Sequence, residues 1–266
     1  MTIMEFLGYV ASVVMGLSLG LIGGGGSILT VPILVYLFGV DPVPATAYSL
    51  FVVGLTSVVG SYSHFKKGNV HLKTALIFGA PSILAVFAVR KFVVPIIPDP
   101  VFSIGDYVIT KSLFVLALFA LLMMVASVSM IRKINLKSEQ GPIQYNYPLI
   151  FIEGILVGGI TGLVGAGGGF LIIPALVLLA GLPMKQAVGT SLLIIALKSL
   201  IGFTGDLGAG LEIDYQFMLF FSLFAIVGII TGSYLMRFIP SEKLKPAFGW
   251  FVLAMGIYIL VKEFAL

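Results

Sequence analysis

Long apolar runs broken by short polar stretches organise the chain. Ten can be drawn. The first half gives about 3–22, 27–38, 44–64, 73–94 and 111–131, and the second about 148–165, 169–180, 185–204, 214–237 and 244–262. The runs are continuous rather than alternating, which predicts helices and argues against a β-barrel. Two are short: 27–38 and 169–180 hold about 12 residues each, roughly 18 Å of helix against a hydrocarbon core of about 30 Å. The one clearly polar stretch, RKINLKSEQGPIQYNY at 132–147, divides the halves.

The halves repeat each other. GLIGGGGSILTVP at 20–32 superposes without a gap on GLVGAGGGFLIIP at 162–174, at a constant offset of 142. The agreement continues through Gly39 and Gly181, Ala45 and Ala187, Ser49 and Ser191, Gly60 and Gly202, and Gly68 and Gly210. Identity is densest in Gly, Pro and Ser, which points to duplication rather than to shared apolar composition. Short, Gly-interrupted segments at corresponding places in two halves are the sequence mark of a transporter's binding site. Close helix packing is the competing explanation of the glycines, since small residues serve that purpose in membranes.

Composition agrees with a membrane chain. Charged residues make up 10% of the 266, where a soluble domain carries about 25%. With no cysteine and two histidines, thiolate and His-built metal sites are not expected, nor is any cofactor. Neither glycine run is followed by Lys-Ser/Thr, which excludes a phosphate loop. No set of His, Asp and Glu clusters within the apolar runs, so the sequence predicts no enzyme. The net charge of +4 comes from Lys and Arg at segment ends and predicts no nucleic-acid partner. The N-terminus carries Glu5 and no basic stretch, which reads as a first spanning helix rather than a cleaved signal.

Charge asymmetry bears on topology. If every segment crosses, ten Lys and Arg fall on one side, including Lys66, Lys67, Arg132, Lys133, Lys185 and Arg237. Four fall on the other, Arg90, Lys91, Lys111 and Lys262, with Lys198 inside a segment. If the short segments re-enter without crossing, the division is seven against seven. The positive-inside rule therefore favours crossing, with both termini outside and the 65–73 and 132–147 loops in the cytoplasm. The expected fold is an all-α polytopic membrane protein in one membrane domain, 1–266. Repeat one covers about 3–131 and repeat two about 148–264, each of about five segments with a Gly-interrupted short helix. An odd number of crossings inverts the second repeat relative to the first.

A helix that begins in mid-bilayer presents free N–H groups and a positive dipole end, which suits an anion. Gly25, Gly26 and Ser27, with Gly167, Gly168 and Gly169, are the candidate donors; Ser27 equally suits capping of its own helix. Lys198, deep in 185–204, is expected to face the bundle interior and supply positive charge, or to be partnered for structure. Thr46, Ser49, Thr190 and Ser191 are candidate hydroxyl ligands or interhelical bridges. His64 and Asp206 are repeat mates that, with Glu153, are candidates for coupling to a proton or another ion or are interfacial polar residues. A small anion and the lipid bilayer are the expected partners.

The paired GxxGxGGGxxxxP runs resemble the sulfite exporter (TauE/SafE) family of bacterial membrane transporters. ATAYSLFVVGLTSVVGSYSHFKKGNV at 45–70 and QAVGTSLLIIALKSLIGFTGDL at 186–207 share the resemblance, which covers nearly the whole chain. It implies a multi-pass protein of the bacterial inner membrane that moves small sulfur-containing anions such as sulfite, sulfoacetate or other organosulfonates. Two alternatives stay open: an anion channel, and a transporter of a non-sulfur organic anion.

Overall fold

A computed structural model describes residues 3–104, 107–131, 147–178, 180–207, 211, 213–236, 238 and 241–265. The linker 132–147 lies outside them except for Tyr147. Helix α1 spans Ile3–Ile22, a 3-10 turn spans Gly24–Leu29 and α2 spans Thr30–Phe38. Then come α3 (Pro42–Lys66), α4 (Leu72–Ala88), a π-turn at Val89–Val93 and α5 (Val94–Ile96). A two-stranded hairpin follows, β1 (Phe102–Ile104) on β2 (Tyr107–Ile109), with Ser103 opposite Val108. The remaining helices are α6 (Lys111–Ile131), α7 (Tyr147–Val164), α8 (Gly169–Leu178), α9 (Met184–Asp206), α10 (Tyr215–Leu235) and α11 (Ser241–Ala265). Among the described residues eight helical stretches are long and apolar enough to cross a membrane. This is a multi-pass helical membrane protein. The hairpin is not foreshadowed by the sequence pattern.

The 3-10 turn accounts for part of the missing length. Six residues at about 2.0 Å each and nine helical residues at about 1.5 Å each give roughly 25 Å from Gly24 to Phe38. That exceeds the roughly 18 Å expected for a helix of the apolar run alone.

Helices of one half pack on helices of the other through small residues. Gly16 of α1 lies against Ala225 and Ile229 of α10, and Gly20 against Gly232 and Ser233, so these helices run parallel. In the same way Gly154, Gly158 and Gly162 of α7 follow Pro81, Ser82 and Val89 along α4 and the π-turn, again parallel. In the centre α3 and α9 run antiparallel: Gly54 faces Leu200, Gly60 faces Leu192, and Gly189 faces His64. Gly249 meets Met130 and Gly256 meets Ala120, so α6 and α11 are antiparallel too. On exchange of halves α1 becomes α7 and α10 becomes α4, so the packing pattern maps onto itself. Helix α3 is parallel to α10, since Tyr48 stacks near Phe217 while Gly60 meets Ile229. It is therefore parallel to α1, and the stretch between them returns the chain to the end at which α1 began. Phe38 sits against Gly8, near that starting end.

Candidate functional site

The two glycine loops meet each other. Gly24 packs on the Cα of Gly169, and a side chain on either would collide with the other's backbone. Ile195 of α9 and Val53 of α3 flank this contact, Val53 touching Gly167. The meeting point is thus near the middle of the two central helices. The loops are not alike. The first is wound into the 3-10 turn, with a positive φ at Gly23. The second stays open, with φ of +62° and +73° at the consecutive Gly167 and Gly168, a conformation that only glycine adopts without cost. Ser27 Oγ lies 2.7 Å from both Gly24 O and Ala166 O, which are repeat mates, and its single proton is shared between them. In this state the Ser27 hydroxyl ties the loops together.

Helix α8 begins at the open loop. Its ladder starts with Leu171 and Ile172 donating to Gly168 O, leaving the Gly169 and Phe170 N–H groups ahead of it. Lys198 comes from α9 to this end. It is fully buried, and its Nζ donates to Thr161 Oγ1 at 2.8 Å. Thr161 in turn donates its proton to Val157 O, so its oxygen is free to accept. A Cβ at Gly168 would lie 2.7 Å from Nζ, which places the ammonium directly against the loop. An ammonium has three N–H donors, and no carboxylate lies within ion-pair distance of this one among the described residues. A buried cation and the positive end of a helix thus converge without a counter-charge, the arrangement that recruits an anion.

Arg90 was missed by sequence reasoning. Read from sequence only as one of the charges at that end of the segments, it is fully buried among the helix ends. In the structure Phe78, Ser82, Val86, Arg90 and Val94 are buried at a spacing of four along one helical stripe. Arg90 Nη1 donates to Thr46 Oγ1 at 2.9 Å and approaches Asp206 Oδ1 at 3.4 Å. Thr46 itself packs on Gly165 of the open loop. Asp206, proposed from sequence as a coupling residue, is therefore the ion-pair partner of Arg90.

The other candidates separate. Ser49 donates to Gly165 O at 2.7 Å and anchors the open loop. Ser191 donates to Val188 O within its own helix. Thr190 accepts from the His71 N–H at 2.9 Å. Gly25 faces Ile22 and Met130, and Gly26 packs against Ser18 and Leu19 of α1, so both serve loop packing here. His64 is buried with both ring nitrogens unpaired, at the end of α3 opposite Gly189. Glu153, half-buried with Oε2 unpaired, lies eight residues before Thr161, about 12 Å along α7. The structure brings together Gly167, Gly168, Gly169, Ser27, Thr46, Ser49 and Lys198, and adds Thr161 and Arg90.

Eight apolar stretches long enough to span a membrane, two Gly-interrupted short helices and a buried lysine with no acid beside it among the described residues fit a membrane transporter. The comparisons agree. The family model described as sulfite exporter TauE/SafE matches residues 9–259, and the chain belongs to that family. A probable membrane transporter protein of Xylella fastidiosa (strain 9a5c) is 33% identical over 261 residues, covering 94% of this chain and 92% of that protein. YdhB of Bacillus subtilis, also named a probable membrane transporter protein, is 28% identical over 233 residues, covering 88% and 91%. MJ0441 of Methanocaldococcus jannaschii, of the same description, is 34% identical over 118 residues, covering 42% and 44%. No solved structure matches.

Proposed function

We propose that the chain exports small sulfur-containing anions, such as sulfite, sulfoacetate or other organosulfonates, by alternating access around the open glycine loop. The observation that carries this reading is Lys198: a fully buried ammonium beside Gly168 and the α8 N-terminus, with a neutral hydroxyl as its hydrogen-bond acceptor. A charge at the middle of a membrane helix costs about 2.5–3.5 kcal/mol on the insertion scale. An incoming anion would offset that cost. The family supports a sulfur oxyanion as cargo.

The two repeats form one membrane domain and are inverted about an axis in the membrane plane. The antiparallel α3/α9 and α6/α11 pairs and the parallel α4/α9 contact, where Gly79 meets Ile194 and Gly205 meets Arg90, support this. A chain whose short segments failed to cross would reverse all three relations. Inversion lets one repeat rock against the other about the Gly24–Gly169 contact. With an inside-negative potential, an anion's exit is favoured by about 2.3 kcal/mol per charge per 100 mV, so export requires no coupling ion.

Lys198→Met tests the reading. In liposomes, labelled sulfite flux is expected to fall to background while the protein stays monodisperse. Flux equal to the parent's removes Lys198 from the site. Acceleration by sulfite on the trans side separates a carrier from a channel.

A further inference from the structure

Arg90 carries an unused recognition surface. Its Nη1 takes both partners, Thr46 and Asp206, while Nε and Nη2 are buried and have none. Nε–H and Nη2–H point the same way and form the side-on fork of the guanidinium, which matches two coplanar oxygens of a carboxylate, sulfonate or sulfite. Asp206 is also half-used: Oδ1 meets Arg90 and Oδ2 is buried without a partner. A pair built only for stability would be expected to close as a fork on a fork, because unpaired buried donors are costly. This one is held monodentate.

The backbone shows how Arg90 is held. Pro95 has no N–H and its ring crowds the carbonyl four residues back, that of Lys91. The chain answers with the π-turn Val89–Val93, in which Val94 N–H donates to Val89 O. Such turns gather at functional sites. Gly205 of α9 admits the Arg90 Cβ and the Lys91 backbone at close range. Thr46 then joins Arg90 to Gly165, at one end of the open loop whose other end, Gly168, touches Lys198.

We infer that Arg90 is a second oxyanion subsite, on the outer side of the open glycine loop, where the anion takes the Nε/Nη2 fork and Asp206 competes for the same guanidinium. The inference rests on the transport reading: an anion leaving Lys198 passes along Gly165–Gly168 to Arg90 before release. The Asp206 carboxylate limits how tightly Arg90 holds it, which keeps release fast.

The test is equilibrium binding of labelled sulfite to the full chain in detergent micelles, with methanesulfonate and acetate as competitors. Wild type is expected to bind two sulfites per chain, and Lys198→Met and Arg90→Lys one each. Lysine keeps the charge beside Asp206 and loses the fork. Asp206→Asn in the Lys198→Met background leaves Arg90 in place and is expected to tighten the remaining site roughly tenfold, whereas loss of a purely structural pair would weaken or abolish it. Two sites retained in Arg90→Lys, or no tightening in the Asp206→Asn background, overturns the subsite. If Lys198→Met still transports sulfite while Arg90→Lys binds one ion fewer, the central-site reading fails and the Arg90 subsite stands.

Discussion

Single residues decide this site by what they lack. Among the described residues Lys198 has no acid beside it and the fork of Arg90 has no partner, while Gly168 has no Cβ. Gly168→Ala makes the last point measurable. The left-handed backbone costs a non-glycine residue about 1–2 kcal/mol, and the new methyl group would collide with Thr161 Cγ2 and crowd Lys198 Nζ. Sulfite flux is expected to drop at least as far as in Lys198→Met, with a lowered melting temperature. Gly159→Ala, at a glycine with nothing within 4 Å of an added Cβ, is expected to leave flux unchanged. The sequence made part of this legible. A lysine inside an apolar run and a glycine cluster repeated at a fixed offset are anomalies visible in one chain. Thr161 and Arg90 were not visible as partners. Thr161 is an ordinary residue in a membrane helix, and Arg90 lies only a few residues from a segment end, where cations are common.

At the scale of elements, the boundaries were legible and the pairings were not. A hydrophobic run ends where charge, proline or glycine begins, so α1, α6 and α9 fall within two residues of their expected limits. The 3-10 turn before α2 was not foreseen, because four glycines allow many backbones and tertiary contact selects one. The choice of α10 for α1, and of α4 for α7, depends on facing glycine stripes. Glycine is too frequent here, at 32 residues, for one sequence to single out the matching pair. Gly228 abuts Val13 O and Leu17 N, whereas Gly159 on α7 meets nothing. Gly228→Leu should therefore separate α1 from α10 and cost about 1–3 kcal/mol or more through overpacking. The readout is a melting temperature several degrees lower in detergent, against little change for Gly159→Leu.

For the whole molecule, the count of basic residues and the helix directions support the same path through the membrane. The chain has no cysteine, so single cysteines report sides without background. Lys67 and Lys185 are both exposed, at the end shared by His64 and Gly189. Lys67→Cys and Lys185→Cys are expected to react with an impermeant maleimide from one side of the membrane, and Asp41→Cys from the other. Labelling of positions 67 and 185 from opposite sides would mean that the short segments do not cross.

The seam between α1 and α10 sets the timetable of biogenesis. About 190 residues separate Ile22 from Tyr215, and a ribosome working at about 5–20 residues per second needs on the order of 10–40 s to supply them. Throughout that interval the Gly16 and Gly20 face of α1 has only lipid, or an insertion chaperone, to lie against. Helix α1 is therefore enclosed late, and a nascent chain stalled before α10 would leave that glycine groove open.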